Sequence, residues 1–124
     1  MNWILSTLTV LISLSGLSQV GDTAKIDQKI FTSVEKLPEF PGGEEEFTNY
    51  IRLYLHNTEM SIGRIVIEFI VETDGSLTEI RISKGLCPKC DGEALRVMRN
   101  SPKWTPGEHN GKKVRVKHTA SIIY

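Results

Sequence analysis

The spacing of apolar residues predicts two amphipathic helices in the second two-thirds of the chain. From Phe47 to Leu55, apolar side chains recur every three or four residues, directly after the turn-forming run PEFPGG at residues 38–43. A second apolar stripe follows Asp91, a residue type that caps helices, and Pro102 stops it. Each predicted helix therefore has one apolar face that can pack against a sheet.

Alternation of apolar and polar residues predicts three strands. Residues 64–73 (RIVIEFIVET) alternate, and Asp74 and Gly75 then form a strong hairpin signal before residues 77–84 return antiparallel. A third alternating run, KKVRVKHTASIIY, occupies residues 112–124. The predicted fold is therefore α+β, a three-stranded antiparallel sheet with two helices packed on one face.

The N-terminal part of the chain is expected to direct export. Residues 3–17 carry no charge but are shorter than the roughly 20 apolar residues that a membrane-spanning helix needs, so we interpret residues 1–18 as a signal peptide. A short uncleaved anchor is the alternative. Residues 19–37 are expected to be a flexible lead-in, with a short strand near residues 29–34. The folded domain is then expected at residues 38–124.

Two cysteines, Cys87 and Cys90, form a CxxC pair for which three interpretations stay open. After export they would lie in an oxidising compartment, where a structural disulfide would staple the local turn. They are alternatively a redox pair, because a CxxC at a strand-to-helix junction lowers a thiol pKa. A zinc site needs two further ligands, and His109 and His118 are not spaced as a ligand pair. We therefore expect neither a metal nor a cofactor.

The formal net charge of zero, from 15 basic and 15 acidic residues, hides an uneven distribution. Residues 1–79 carry five basic residues against twelve acids, whereas residues 80–124 carry ten against three. Part of the positive charge falls on one face of the last predicted strand, at Lys113, Arg115 and Lys117. Neutrality and the lack of interleaved aromatic residues argue against nucleic-acid binding. The basic face favours acidic or strand-forming partners.

Four runs of the sequence occur in a specific order and spacing. They are FPGG at residues 40–43, GRIVIEFIVETDGSLTEIRISKG at 63–85, DGEALRVMRNSPKWTPG at 91–107 and NGKKVRVKHTASIIY at 110–124. Together they resemble the C-terminal domain of the TonB family, periplasmic transducers that couple an inner-membrane motor to outer-membrane receptors. The structural motif residues in these runs are Phe40, Pro41, Gly42, Gly43, Asp74, Gly75, Trp104, Pro106 and Gly107.

The resemblance implies a periplasmic domain that binds a short segment of an outer-membrane receptor by strand addition, in support of energy-coupled transmembrane transport. Independently, an unpaired strand at a sheet edge is a template for an extended peptide. We expect the last strand to lie at an edge, where Lys113, Arg115 and Lys117 equally fit a role in preventing aggregation. The predicted peptide-binding residues are Val114, Arg115, Val116, Lys117, His118, Thr119, Ala120, Ser121 and Ile122.

No catalytic constellation emerges from the sequence, so we expect a binding module and not an enzyme. The histidines, His56, His109 and His118, are scattered over a helix end, a turn and a strand. Two other functions stay open: a periplasmic thiol–disulfide protein that uses the CxxC pair, and a module that self-associates as a homodimer through the same edge. Contact with a membrane is expected only if the N-terminal segment is uncleaved.

Overall fold

A computed structural model describes residues 28–57 and 59–124, so the predicted signal peptide and the first part of the lead-in lie outside the described residues. The fold is α+β, as predicted. No helix within the described ranges is long and apolar enough to cross a membrane. The elements are, in order, β1 (Ile30–Phe31), α1 (Glu44–Tyr54), β2 (Arg64–Val71), β3 (Leu77–Lys84), α2 (Pro88–Arg99), β4 (Gly107–His109) and β5 (Lys112–Ile123).

Helix α1 begins directly after the turn formed by the PEFPGG run, in which Pro41 and Gly42 are exposed and Phe40 is buried. Gly43 is the N-cap residue, and its φ of 92° lies in the left-handed region that favours glycine. The glutamates of the first turn, residues 44–46, lie at the positive end of the helix dipole. The helix packs on the sheet through Phe47 and Ile51, which are buried.

Helix α2 begins earlier than predicted, because Cys87 and not Asp91 is the N-cap residue. Pro88 occupies the first helical position, where its missing N–H costs no hydrogen bond. The Asp91 carboxylate instead accepts a hydrogen bond from the backbone N–H of Leu86 at 2.8 Å. The helix ends at Arg99, before the proline that was predicted to stop it. Its buried residues are Cys90, Ala94, Val97 and Met98.

The sheet has the strand order β1-β5-β2-β3, with β4 paired to β5. Strands β2, β3 and β5 form the predicted antiparallel core, in which β2 lies between the other two. The short strands β1 and β4 extend this core, and because β1 runs parallel to β5 the sheet is mixed. Only β4 has no counterpart among the predicted strands. A two-residue turn at Asn110 and Gly111, both with positive φ, joins β4 to β5.

Part of the predicted lead-in belongs to the folded structure. Strand β1 falls inside the region 29–34 where a short strand was predicted, and it pairs with Arg115 and Val116 of β5. Farther along, the backbone N–H of Lys36 donates to the carbonyl of Glu108 at 3.0 Å. Residues 30, 31 and 36 are therefore held by backbone pairing to β5 and β4.

The hairpin turn after β2 meets the WTPG segment through its backbone. The N–H of Trp104 donates to the carbonyl of Gly75 at 2.8 Å, and a Cβ on Gly75 would lie 2.1 Å from the carbonyl oxygen of Trp104. Asp74 lies in the same turn, Pro106 is half-buried, and Gly107 begins β4 at a buried position. These motif residues hold the two segments in close contact.

An aromatic cluster joins the turn, the helix and the sheet. The Trp104 ring lies 5.8 Å from that of Phe40, 5.6 Å from that of Phe47 and 5.2 Å from that of Phe69, measured between centroids. These three partners come from the turn before α1, from α1 and from β2. Around the cluster, the inner face of the sheet contributes Ile65, Ile67, Val71 and Ile122 to the core.

Candidate functional site

Two of the three basic residues on one face of β5, Arg115 and Lys117, pair with carboxylates in or next to β2. Arg115 donates from Nε to Glu72 Oε1 at 2.6 Å and from Nη2 to Oε2 at 3.1 Å, a bidentate pair that lowers the pKa of this carboxyl. Lys117 Nζ lies 3.5 Å from Oε1 of Glu68, which also pairs with Arg81. The hydrogen bond from Arg81 is the main cause that lowers the pKa of Glu68. Because Arg115 and Lys117 already have acidic partners within the domain, the expected preference of this face for acidic binding partners is weakened.

Strand β5 has a free edge along only part of its length. On one side, β2 pairs with it from Val116 to Ile123. Val116 also pairs with Phe31 of β1, so β1 must lie on the opposite side. Strand β4 pairs with Val114 and the two residues before it.

The prediction of an edge strand is therefore corrected for Val114, Arg115 and Val116, which neighbouring strands cover. Within the described part of the chain, residues 117–123 have no strand on the side opposite β2. The other predicted binding residues lie in this stretch: Lys117, His118, Thr119, Ala120, Ser121 and Ile122.

A groove of about 920 Å³ runs beside this open stretch. One wall is β5 over residues 118–124, and the other consists of residues 37–40 together with one face of α1. The α1 wall is mainly apolar, with a polar rim. The groove-facing residues outside β5 include Leu37, Phe40, Phe47, Ile51 and Leu55 as apolar members and Glu39, Glu44 and Arg52 as polar ones.

The sequence did not identify this second wall. The stripe on α1 was interpreted as a core face, and Leu37 was assigned to the lead-in. The helical stripe is wide enough to serve both purposes, because Phe47 and Ile51 are buried while Leu55 is half-buried. Leu37, an apolar residue directly before a turn, could have indicated a packing position. Only the folded chain shows that it lies across from β5.

His118 is the second residue of the open stretch and faces the core. Its ring centroid is 5.8 Å from that of Phe69 and 6.0 Å from that of Trp104. Burial against these rings lowers the pKa of His118 below its ordinary value of 6.5, because it disfavours the charged imidazolium. The histidine is therefore a packed, neutral part of the groove wall at neutral pH.

The lowered pKa of His118 predicts a pH dependence of the stability of the domain. The free energy of unfolding is expected to fall as the pH is lowered below about 6.5, the ordinary pKa of histidine. In that range the unfolded chain binds a proton at His118 more readily than the folded chain does, so protonation favours unfolding. Urea unfolding at about pH 7.5 and about pH 5.5 measures the difference, with His118→Gln as the control. Glu93 does not interfere with this comparison. The hydrogen bond from Arg96 lowers the pKa of its carboxyl from 4.5 to about 2, so its protonation reduces stability only below about pH 4.5. An unchanged pH dependence in the variant would contradict the assignment to His118.

Cys87 and Cys90 are joined in a disulfide at the start of α2. Sulfurs joined in this way are not thiolate ligands, so this form of the pair holds no zinc. Cys87 is half-buried at the N-cap position, whereas Cys90 is 2% exposed. Neither cysteine lines the groove. One hydrogen bond links the two features: the hydroxyl of Tyr124, which lines the groove, donates to the carbonyl of Cys90 at 2.8 Å.

The comparison with protein families gives one match. A family model described as Gram-negative bacterial TonB protein C-terminal matches residues 60–124, just over half of the chain. The matched range contains β2, β3, α2, β4 and β5, and therefore the whole open stretch of β5. Neither the curated proteins nor the solved structures give a match.

Proposed function

The chain belongs to the TonB C-terminal family, and on this premise we propose that it is a periplasmic protein-binding domain that captures an extended segment of an outer-membrane receptor. The observation that carries the proposal is the open stretch of β5, residues 117–123, which faces a groove. Binding there supports energy-coupled transport across the outer membrane. Family membership supports the expectation of a non-enzymatic domain.

Strand addition at this edge supplies affinity through the backbone. Along an antiparallel strand, successive residues direct their N–H and C=O groups to opposite sides, and β2 uses one set. The other set, from alternate residues of 117–123, faces the groove and is free to pair with an added strand. An added segment would lie in line with β1, which already pairs with β5 immediately before this stretch.

The second wall supplies selectivity for the side chains of the segment. Every second side chain of an added strand points to the helix side of the sheet, where Leu37, Ile51 and Leu55 form an apolar surface. The intervening side chains point to the face that carries the compensated charges of β2 and β5. The partner segment is therefore expected to carry apolar residues at alternate positions.

Proline substitutions at two neighbouring positions test this mode of binding. Thr119 and Ala120 are neighbours, so their N–H groups point to opposite sides of β5. One of the two substitutions, Thr119→Pro or Ala120→Pro, therefore removes an N–H from the open edge, and the other removes an N–H that is directed at β2. The variant that keeps the β2 ladder is expected to stay folded and to bind about tenfold more weakly, the equivalent of one lost hydrogen bond. Its partner variant is expected to lose stability as well.

Fluorescence anisotropy with synthetic peptides tiled over the periplasmic segments of outer-membrane receptors measures the affinity. Circular dichroism identifies the folded variant. Hydrogen exchange of the wild type should show new protection at the alternate amides of 117–123 that are not directed at β2. Undiminished binding in the folded proline variant, or protection confined to another surface, would contradict strand addition at β5.

Self-pairing of two copies through the same edge is the second candidate function. It rests on the same open stretch and on Ile123, an exposed apolar residue at its end. Sedimentation at increasing protein concentration distinguishes the two, because a self-pairing domain would form dimers without any peptide. Peptide binding that dissociates such dimers would show that both use one edge.

A further inference from the structure

The two residues of the Cys87–Cys90 disulfide are unequally exposed to solvent. Cys87 is half-buried at the N-cap of α2, and Cys90, one turn into the helix, is 2% exposed. We therefore expect an attacking thiolate to reach Cys87 more readily than Cys90. Asymmetry of this kind is what directed thiol–disulfide exchange requires, because the attacked sulfur must be open and the leaving sulfur protected.

The surroundings of Cys87 favour a thiolate at that position after reduction. The backbone N–H of Cys90 donates to Cys87 Sγ at 3.0 Å, and the sulfur lies at the positive end of a 12-residue helix. Of the nearby charges, Lys89 is exposed and paired with Glu59 at 3.1 Å. The Asp91 carboxylate is turned back to the N–H of Leu86. The N–H groups of the first turn are therefore the closest electrostatic partners of the sulfur.

Contacts other than the disulfide also hold helix α2 in position. Ala94, Val97 and Met98 are buried in the core beneath it. From the other side, the hydroxyl of Tyr50 donates to the carbonyl of Val97 at 2.9 Å. A bridge that spans only three residues along the chain closes too small a loop to constrain the unfolded state strongly. The contribution of the bridge to the stability of the fold is therefore expected to be small.

Two exposed apolar residues flank Ser61, the residue of this loop that lies next to the disulfide. Met60 is 84% exposed and Ile62 is 88% exposed. Between them, the hydroxyl of Ser61 lies 4.0 Å from Cys87 Sγ, so this loop is in contact with the more accessible sulfur. The ion pair of Glu59 with the first turn of α2 also ties the loop to the helix. Such a surface fits a polypeptide substrate better than a small thiol.

We propose that the Cys87–Cys90 disulfide exchanges with a dithiol in an extended polypeptide, which docks on Met60 and Ile62. A substrate thiolate attacks Cys87 Sγ, the bond between the two sulfurs breaks, and Cys90 leaves as a thiolate and takes up a proton. The second substrate thiolate then attacks the sulfur of the first substrate cysteine in the mixed disulfide. This forms the substrate disulfide and releases Cys87 as a thiolate. The substrate loses two electrons and becomes a disulfide, and the protein gains them as a dithiol. This activity does not rest on the receptor-binding function.

A synthetic polypeptide with two cysteines provides the test. Mixed with the full chain in its disulfide form, it is expected to become oxidised while Cys87 and Cys90 become reduced, as measured by mass spectrometry after alkylation. For the single-cysteine variants the peptide is supplied in its oxidised, disulfide form. The Cys87 thiolate of Cys90→Ser is expected to attack this disulfide and to remain in a mixed disulfide as a peptide thiolate leaves, whereas Cys87→Ser is expected to trap about tenfold less. A pair that stays oxidised in excess peptide, or equal trapping by both variants, would overturn the proposal.

A variant that keeps both cysteines tests the docking surface without risk to the bridge. Met60→Ser combined with Ile62→Ser changes exposed residues only and is expected to stay folded. Exchange with the polypeptide should slow about tenfold, whereas exchange with dithiothreitol should keep its rate. Equal slowing with both thiols, or no slowing with either, would overturn the assignment of a polypeptide substrate.

Discussion

Replacing Trp104 with alanine is expected to lower the free energy of unfolding by about 3–5 kcal/mol, the usual cost of removing a large buried aromatic side chain. Trp104 is 6% exposed, and its ring contacts Phe40, Phe47 and Phe69. Because these partners belong to a turn, a helix and a strand, no single side chain can move in to fill the cavity. Urea unfolding followed by circular dichroism measures the change as a shift of the midpoint.

Two control variants compare the loss for Trp104→Ala with that of a smaller change at the same position and with that of an exposed apolar residue. Trp104→Phe keeps an aromatic ring in the cluster but loses the hydrogen bond from Nε1 to Ser101 Oγ at 2.9 Å, so a smaller loss is expected. Leu53→Ala removes an apolar side chain that is 73% exposed, and a change within about 0.5 kcal/mol is expected. A loss for Trp104→Ala no larger than that for Leu53→Ala would show that the cluster does not hold these elements together.

Replacing Gly75 with alanine is expected to destabilise the domain by about 3 kcal/mol or more. Two costs combine at this position. The φ of 90° is one that side chains rarely adopt, and the new Cβ would lie 2.1 Å from the carbonyl oxygen of Trp104. Relief of this clash requires the hairpin turn to separate from Trp104, which breaks their backbone hydrogen bond. Thermal unfolding and urea unfolding both measure the loss.

Gly111→Ala separates these two costs. Gly111 also has a positive φ, 76°, but nothing lies within 4 Å of an added Cβ. Only the conformational penalty applies there, about 1 kcal/mol. The difference between the two variants therefore measures the close approach of the hairpin to Trp104. Equal losses for both would show that the turn moves freely and that this contact is unimportant.

The elements with long periodic patterns were predictable because burial of one face repeats along them. Strand β3 has the predicted bounds, and β2 and β5 differ from theirs by one or two residues at one end. The short strands β1 and β4 contain too few residues for alternation to be visible, and they exist through pairing with β5. Only the first of them had been placed approximately.

The start of α2 shows how a strong local signal can be outweighed. Asp91 is a good capping residue, but Pro88 fits the first helical position and a sulfur of Cys87 accepts the N–H that needs a partner. The disulfide joins Cys87, the N-cap residue, to Cys90 in the first turn of the helix. The proline was the signal in the sequence that indicated the earlier start.

The candidate binding edge was predictable in kind but not in extent. An alternating strand at the end of a small sheet indicates an edge, and residues 117–123 have one free side among the described residues. The lead-in and the residues before the Asn110–Gly111 turn cover the start of β5, and no pattern within β5 itself indicates this. The charges on its outer face were also visible in the sequence, but their partners on β2 were not.

From its sequence alone, this chain specifies an α+β domain of the TonB C-terminal type, because periodicity, turn residues and motif order are local properties of the chain. Which part of β5 stays open, which wall faces it, and which cysteine is accessible follow from contacts between segments far apart in sequence. Leu37 and β5 form one groove, and Ser61 borders Cys87, only after the chain has folded. Such neighbours are set by the packing of the whole core, which no local pattern encodes.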